Sequence, residues 1–146
     1  GPEIAASMKQ KLHFNTFGGN PISVTSGLAT LEVIDEERIQ DRARDVGAYF
    51  KNKLLALQER HALIGEVRGL GLLLAVELVK DRQTREPATA ETKRVVELAR
   101  QRGLLVAKSG CYWNTIRLAP PMCITKPDVD FLVDCLGACL AEVAGT

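Results

Sequence analysis

Apolar residues recur along the chain with two different periods, and the switches between them mark out the elements. From Asp35 to Arg60, Ile39, Ala43, Val46, Phe50, Leu54 and Leu57 return every three or four residues. That spacing lays them along one stripe of a long amphipathic helix. The intervening Arg38, Arg42, Asp45, Lys51 and Gln58 make its other face a solvated surface. Leu63–Arg68 and Leu72–Val79 then read as strands, split by Gly69-Leu70-Gly71, a glycine-bracketed turn or bulge. Helical spacing returns over Ala90–Arg102, through Val95, Val96, Leu98 and Ala99, with Thr89 as its cap and Gly103 at its end. Leu104–Ala107 and Thr115–Ala119 are two further strands flanking the polar loop Ser109–Asn114. The last helix opens at Thr125-x-x-Asp128, a capping-box-like pair with Ile124 and Val129 placed as a hydrophobic staple. It runs to about Val143 on a stripe of Phe131, Leu132, Cys135, Leu136 and Cys139.

The N-terminal third is patterned differently. Glu3–Lys11 reads as a short helix, His13–Pro21 as a loop and Pro21–Val33 as a helix whose first half is rich in small residues. Small side chains suit close packing at an interface, and equally an ordinary internal helix. After it, two strands, a helix, two strands and a helix joined by short turns predict an antiparallel sheet with helices on one side, an α+β fold. Residues 1–33 are expected to lie outside the compact unit formed by 34–146.

Composition narrows the function classes. With 46% hydrophobic residues in 146, the chain can bury a real core. Its 19 basic and 18 acidic residues leave a formal charge of +1, which lacks the electrostatic footprint of a nucleic-acid or membrane-surface binder. No apolar run is long enough for a bilayer, and no signal or transit pattern is read. The four cysteines include no Cys-x-x-Cys pair, so no metal site is expected; Cys135 and Cys139 share a helix face and read as buried free thiols.

Three places could carry chemistry. In the loop before the second helix, Asn20 can cap, Pro21 falls at the first helical position, and Gly18 and Gly19 let the backbone approach a ligand. With the Thr16 hydroxyl beside them, this is either a plain turn or an anion site using free N–H groups at a helix start. Arg117 sits among apolar neighbours in Thr115–Pro121. Its guanidinium needs an anion, supplied by an internal ion pair or by a bound carboxylate, unless its stem snorkels. Arg68 reads as structural rather than phosphate-binding, and Glu77, in an apolar strand, requires a partner or an exposed edge.

The wording of these segments adds to that. His13-Phe14-Asn15-Thr16-Phe17-Gly18-Gly19-Asn20-Pro21, Val67–Leu72, Arg117–Pro121 and Ile124–Pro127 resemble, in order and spacing, the class III aminotransferases, and within them the mitochondrial alanine–glyoxylate branch. The resemblance implies the C-terminal small domain of a fold type I, pyridoxal 5′-phosphate (PLP) enzyme at 34–146, preceded by the end of the large domain at 1–33. It implies a homodimer in which Thr16 binds the cofactor phosphate across the subunit interface and Arg117 binds a substrate carboxylate. Amino acids and 2-oxo acids are the implied substrates, alanine donating to glyoxylate or pyruvate, in a mitochondrial or cytoplasmic setting. The family's Schiff-base lysine lies upstream of the Thr16 motif, so Lys9 and Lys11 are expected to be plain helix residues and this stretch alone to be inactive. Two alternatives stand: a phospholyase of the same family, and a non-catalytic ferredoxin- or ACT-like ligand-binding module, in which Thr16–Pro21 would have no job.

Overall fold

The computed structural model describes residues 1–146 apart from 13, 17 and 146. The chain forms two compact units, Gly1–Ile39 and Gln40–Thr146.

The first unit holds α1 (Pro2–Met8) and α2 (Pro21–Glu36). Asn20 caps α2 as expected: its Oδ1 accepts from the N–H of Ile22 (2.9 Å) and of Ser23 (3.3 Å). Two boundaries differ from the sequence reading. Helix α1 ends three residues early, and α2 runs past Val33 until the chain breaks at Arg38, whose φ of 50° lies in the left-handed region. The helix α3 (Ile39–Arg60) follows.

The second unit is built on β1 (Ile64–Leu70), β2 (Leu73–Leu78), β3 (Ala107–Ser109) and β4 (Thr115–Leu118), in the order β1-β2-β4-β3 with every neighbour antiparallel. Helices α4 (Thr89–Gln101) and α5 (Lys126–Ala144) complete it. Strand alternation puts Val67, Leu74, Val76, Leu78, Ile116 and Leu118 on one face, where they join Phe50 and Leu54 of α3, Val95 and Leu98 of α4 and Leu136 and Leu140 of α5 in one core. Each such side chain contributes about 1.5–3 kcal/mol by leaving water. The other face carries Glu66, Arg68, Ala75, Glu77, Thr115 and Arg117. This is the α+β arrangement of antiparallel sheet and one-sided helices that the pattern predicted.

Close backbone contact fixes how α3 meets the sheet. A Cβ on Gly47 would lie 2.3 Å from the Gly71 carbonyl oxygen, so helix and β1–β2 turn touch main chain to main chain. Gly71 itself sits at φ 55° and Gly69 at φ 131°, conformations that β-carbons disfavour.

Local signals were read correctly at α5, where Thr125 and Asp128 form the full capping box. At α4 the structure differs from the expectation. Ala88, not Thr89, is its N-cap, and the Thr89 hydroxyl donates instead to the Tyr112 carbonyl at 2.7 Å. The Ala88 N–H is bonded to the Leu78 carbonyl at the end of β2, and the backbone of residue 88 (φ −89°, ψ 60°) is not helical. At the far end Gly103 (φ 82°) closes the helix and the Leu104 N–H returns to the Ala99 carbonyl. That closure takes Leu104 out of the sheet, and β3 forms at Ala107–Ser109 rather than at Leu104–Ala107. Cys135 and Cys139 are buried free thiols as read, whereas Cys111 and Cys123 are exposed.

Candidate functional site

Arg117 occupies the second position from the end of β4, opposite Ala75 of β2 on one side and Ala107 of β3 on the other. Both neighbours are alanines, so no large side chain shields it on the open sheet face. Its side chain is exposed, and it forms no hydrogen bond or ion pair with any described residue. An internal salt bridge, the bland expectation for this position, is not what the structure shows. Arg117 instead lines an open cleft of ≈ 490 Å³ together with Leu105, Ala107, Ala119, Pro121 and Leu132. An apolar cleft with one unpaired planar cation can hold a small carboxylate in a bidentate pair.

The other cations nearby are spent. Arg68 donates to Glu66 at 2.8 Å and to Glu77. The hydrogen bond to Glu77, then burial acting against it, leaves the Arg68 guanidinium more firmly protonated than an ordinary arginine. A larger apolar groove, ≈ 710 Å³, runs between α3 and the β1–β2 turn. Its two cations are tied down, Arg44 to Asp41 and Lys51 to the Gly69 carbonyl. Arg68 is thus structural, as read, and it is the partner that Glu77 required.

Asn114 escaped the sequence reading, which placed it only in a loop. It is buried, and its Nδ2 donates to the Leu78 carbonyl (2.8 Å) and, longer, to Glu77 Oε1 (3.4 Å). A buried amide at a strand edge leaves no periodic trace, so no sequence signal pointed to it. The preceding Trp113 stands at φ 55°, with Lys108 Nζ 5.5 Å from its ring centroid.

In the first unit, Thr16 is exposed and its hydroxyl is bonded to no described residue. His13 and Phe17 of the same motif lie outside the described residues. The expectation of free N–H groups at the start of α2 needs correcting, because the Asn20 side chain already accepts from Ile22 and Ser23. Among the described residues of this loop, the Thr16 side chain offers a phosphate a hydroxyl donor, a contributor to a grip rather than a whole one. Lys9 and Lys11 are both exposed. Among the described residues no group of three or more His, Cys, Asp or Glu could hold a metal ion, and no helix is long and apolar enough to cross a membrane.

Known proteins match over almost the whole chain. The chain is 47% identical over 142 residues to the mitochondrial alanine–glyoxylate aminotransferase 2 homolog 2 of Arabidopsis thaliana, covering 97% of this chain and 30% of the relative. A phospholyase from Arthrobacter, solved with phosphoethanolamine, superposes with a TM-score of 0.85 at 33% identity, over 94% of this chain and 33% of that one. An amine transaminase from an uncultivated Pseudomonas species, in its PLP-bound form, gives a TM-score of 0.80 at 36% identity, over 90% of this chain and 30% of that one. The chain therefore spans about a third or less of the length of these relatives, and its fold is the one found in PLP-dependent transferases of fold type I. The family profile "Aminotransferase class-III" fits residues 2–140, and with the Thr16, Arg68 and Arg117 segments falling inside that match, the chain belongs to the class-III aminotransferases.

Proposed function

We propose that this chain is the C-terminal part of a PLP-dependent aminotransferase that moves an amino group from alanine or a similar donor to glyoxylate or pyruvate. On this reading residues 1–33 end the large domain and 34–146 are the small domain. The observation that carries it is the unpaired Arg117 guanidinium in an open, mostly apolar cleft. PLP, when bound, supplies the electron sink for bond changes at the donor's α-carbon. Arg117 holds the substrate carboxylate, fixing the orientation of the amino group, and such positioning contributes several kcal/mol, by order of magnitude, to lowering a barrier. The Thr16 hydroxyl donates to a phosphate oxygen. On this reading that phosphate is held by the other subunit of a homodimer, and the exposed Val24, Leu28 and Leu31 of α2 give such a partner an apolar face to cover. The Schiff-base lysine belongs to sequence other than these residues, so the chain alone is inactive. A mitochondrial setting follows the relative's name.

Arg117→Lys in the full-length enzyme tests the anchor. Lysine keeps the charge but loses one of two parallel hydrogen bonds, so kcat/KM for alanine falls by about tenfold or more, with KM raised. Values of KM and kcat/KM near wild type overturn the assignment.

A phospholyase acting on a phosphorylated amino alcohol is the second reading, favoured by the likeness to the Arthrobacter enzyme. Release of inorganic phosphate from phosphoethanolamine, without consumption of a 2-oxo acid, would establish it in place of the first.

A further inference from the structure

Glu77 stands on β2 between two arginines. Opposite it on β1 is Glu66, and Arg68 lies two residues further on; opposite it on β4 is Thr115, and Arg117 lies two residues further on. Both arginines are therefore diagonal neighbours of Glu77, one on each side of β2, each about 7–8 Å away at the Cα atoms, a span long side chains bridge. The diagonal on the β1 side is closed by an ion pair, since Glu77 Oε2 accepts from Arg68. The equivalent diagonal to Arg117 stays open. The second oxygen of Glu77 is occupied too, by Asn114 Nδ2 from the far side of Thr115.

We infer that Arg68 is a positioning residue that holds the Glu77 carboxylate away from Arg117 and so keeps Arg117 free for a substrate carboxylate. The inference deepens the anchor role proposed for Arg117 and rests on it. Without Arg68, Glu66 and Glu77 face each other as like charges across two strands, a destabilising pair. On that sheet face Arg117 is then a cation with no described partner, one diagonal away, and Glu77 turns to it as an internal competitor for the incoming carboxylate. Ala75 and Ala107, flanking Arg117, put nothing in the way.

The test uses the full-length enzyme, with pyruvate as the carboxylate and the Arg117 Nε–Hε NMR signal as the readout. In Arg68→Met, that signal shifts toward a paired state before any ligand is added. The apparent Kd for pyruvate then rises about two- to fivefold, the size of effect an exposed competing ion pair can exert. Arg68→Lys, which keeps the charge, stays near wild type, and Arg68→Met combined with Glu77→Gln returns to wild-type affinity. A purely structural role for Arg68 predicts no such rescue. If Arg68→Met binds pyruvate as wild type does, or Glu77→Gln fails to restore binding, the positioning role is wrong while the anchor stands. Arg117→Gln separates the two ideas: pyruvate-induced shifts at the backbone N–H groups of Ala75 and Ala107 should vanish. If they persist, Arg117 is not the anchor and both ideas fall.

Discussion

Gly47 offers the sharpest test of how this small domain is assembled. It lies inside α3, where glycine costs about 1 kcal/mol relative to alanine through backbone entropy. Gly47→Ala therefore gains stability on helix propensity alone. The tertiary contact reverses that gain. The new Cβ would sit 2.3 Å from the Gly71 oxygen, 2.4 Å from its carbonyl carbon and 2.7 Å from its Cα, all backbone atoms that no rotamer change can move. Relief requires α3 and the β1–β2 turn to separate, an overpacking cost of about 3 kcal/mol at the upper end of the usual range. Subtracting the propensity gain leaves a net loss of about 2 kcal/mol, or roughly 8–16 °C in Tm for a unit of this size. Gly137→Ala in α5 is the control. Its Cβ would meet the flexible Leu57 Cδ1 at 3.0 Å, which can give way, so the net change stays within about 1 kcal/mol of zero. Urea denaturation followed by far-UV circular dichroism reads both. Gly47→Ala at or above wild-type stability, or below Gly137→Ala by nothing measurable, refutes the claim that helix and turn meet main chain to main chain.

The Trp113→Gly exchange removes a left-handed backbone strain of about 1–2 kcal/mol but gives up a cation–π contact with Lys108 worth about 0.5 kcal/mol, the partly covered indole's apolar contacts worth about 1–2 kcal/mol, and about 0.5–1 kcal/mol to glycine's chain entropy. The urea midpoint should fall; a rise would mean that the backbone conformation costs more than the indole contributes. Partial burial, reinforced by the neighbouring Arg60 charge, holds the His61 imidazole below its ordinary value of 6.5 in the folded chain, so the unfolded chain takes up that proton first. Stability is then full above about pH 6.5 and declines as the pH falls through and below it; a His61→Gln variant loses that slope, and an unchanged slope between pH 7 and 5 refutes the attribution.

Much of this molecule was legible without coordinates, because some of its determinants act over a single turn of chain. The Thr125–Asp128 box, the Asn20 cap and the Gly103 terminus are settled by residues within three or four positions, so their chemistry could be read directly. The long stripe from Ile39 to Leu57 and the alternation in β2 likewise declared helix and strand through period alone. Family wording marked Thr16 and Arg117 as the residues to watch. Tertiary structure decided whatever depended on which strand lies beside which. The Thr89 hydroxyl was taken by the Tyr112 carbonyl, so the cap position fell to Ala88. Asn114 was buried by a hairpin whose geometry no local pattern announces. Above all, the order β1-β2-β4-β3 set Glu77 beside both Arg68 and Arg117, and only the three-dimensional register assigned the carboxylate to one arginine and left the other open. Charge selection of that kind is a matter of distance across strands, which a linear chain does not encode at any fixed spacing.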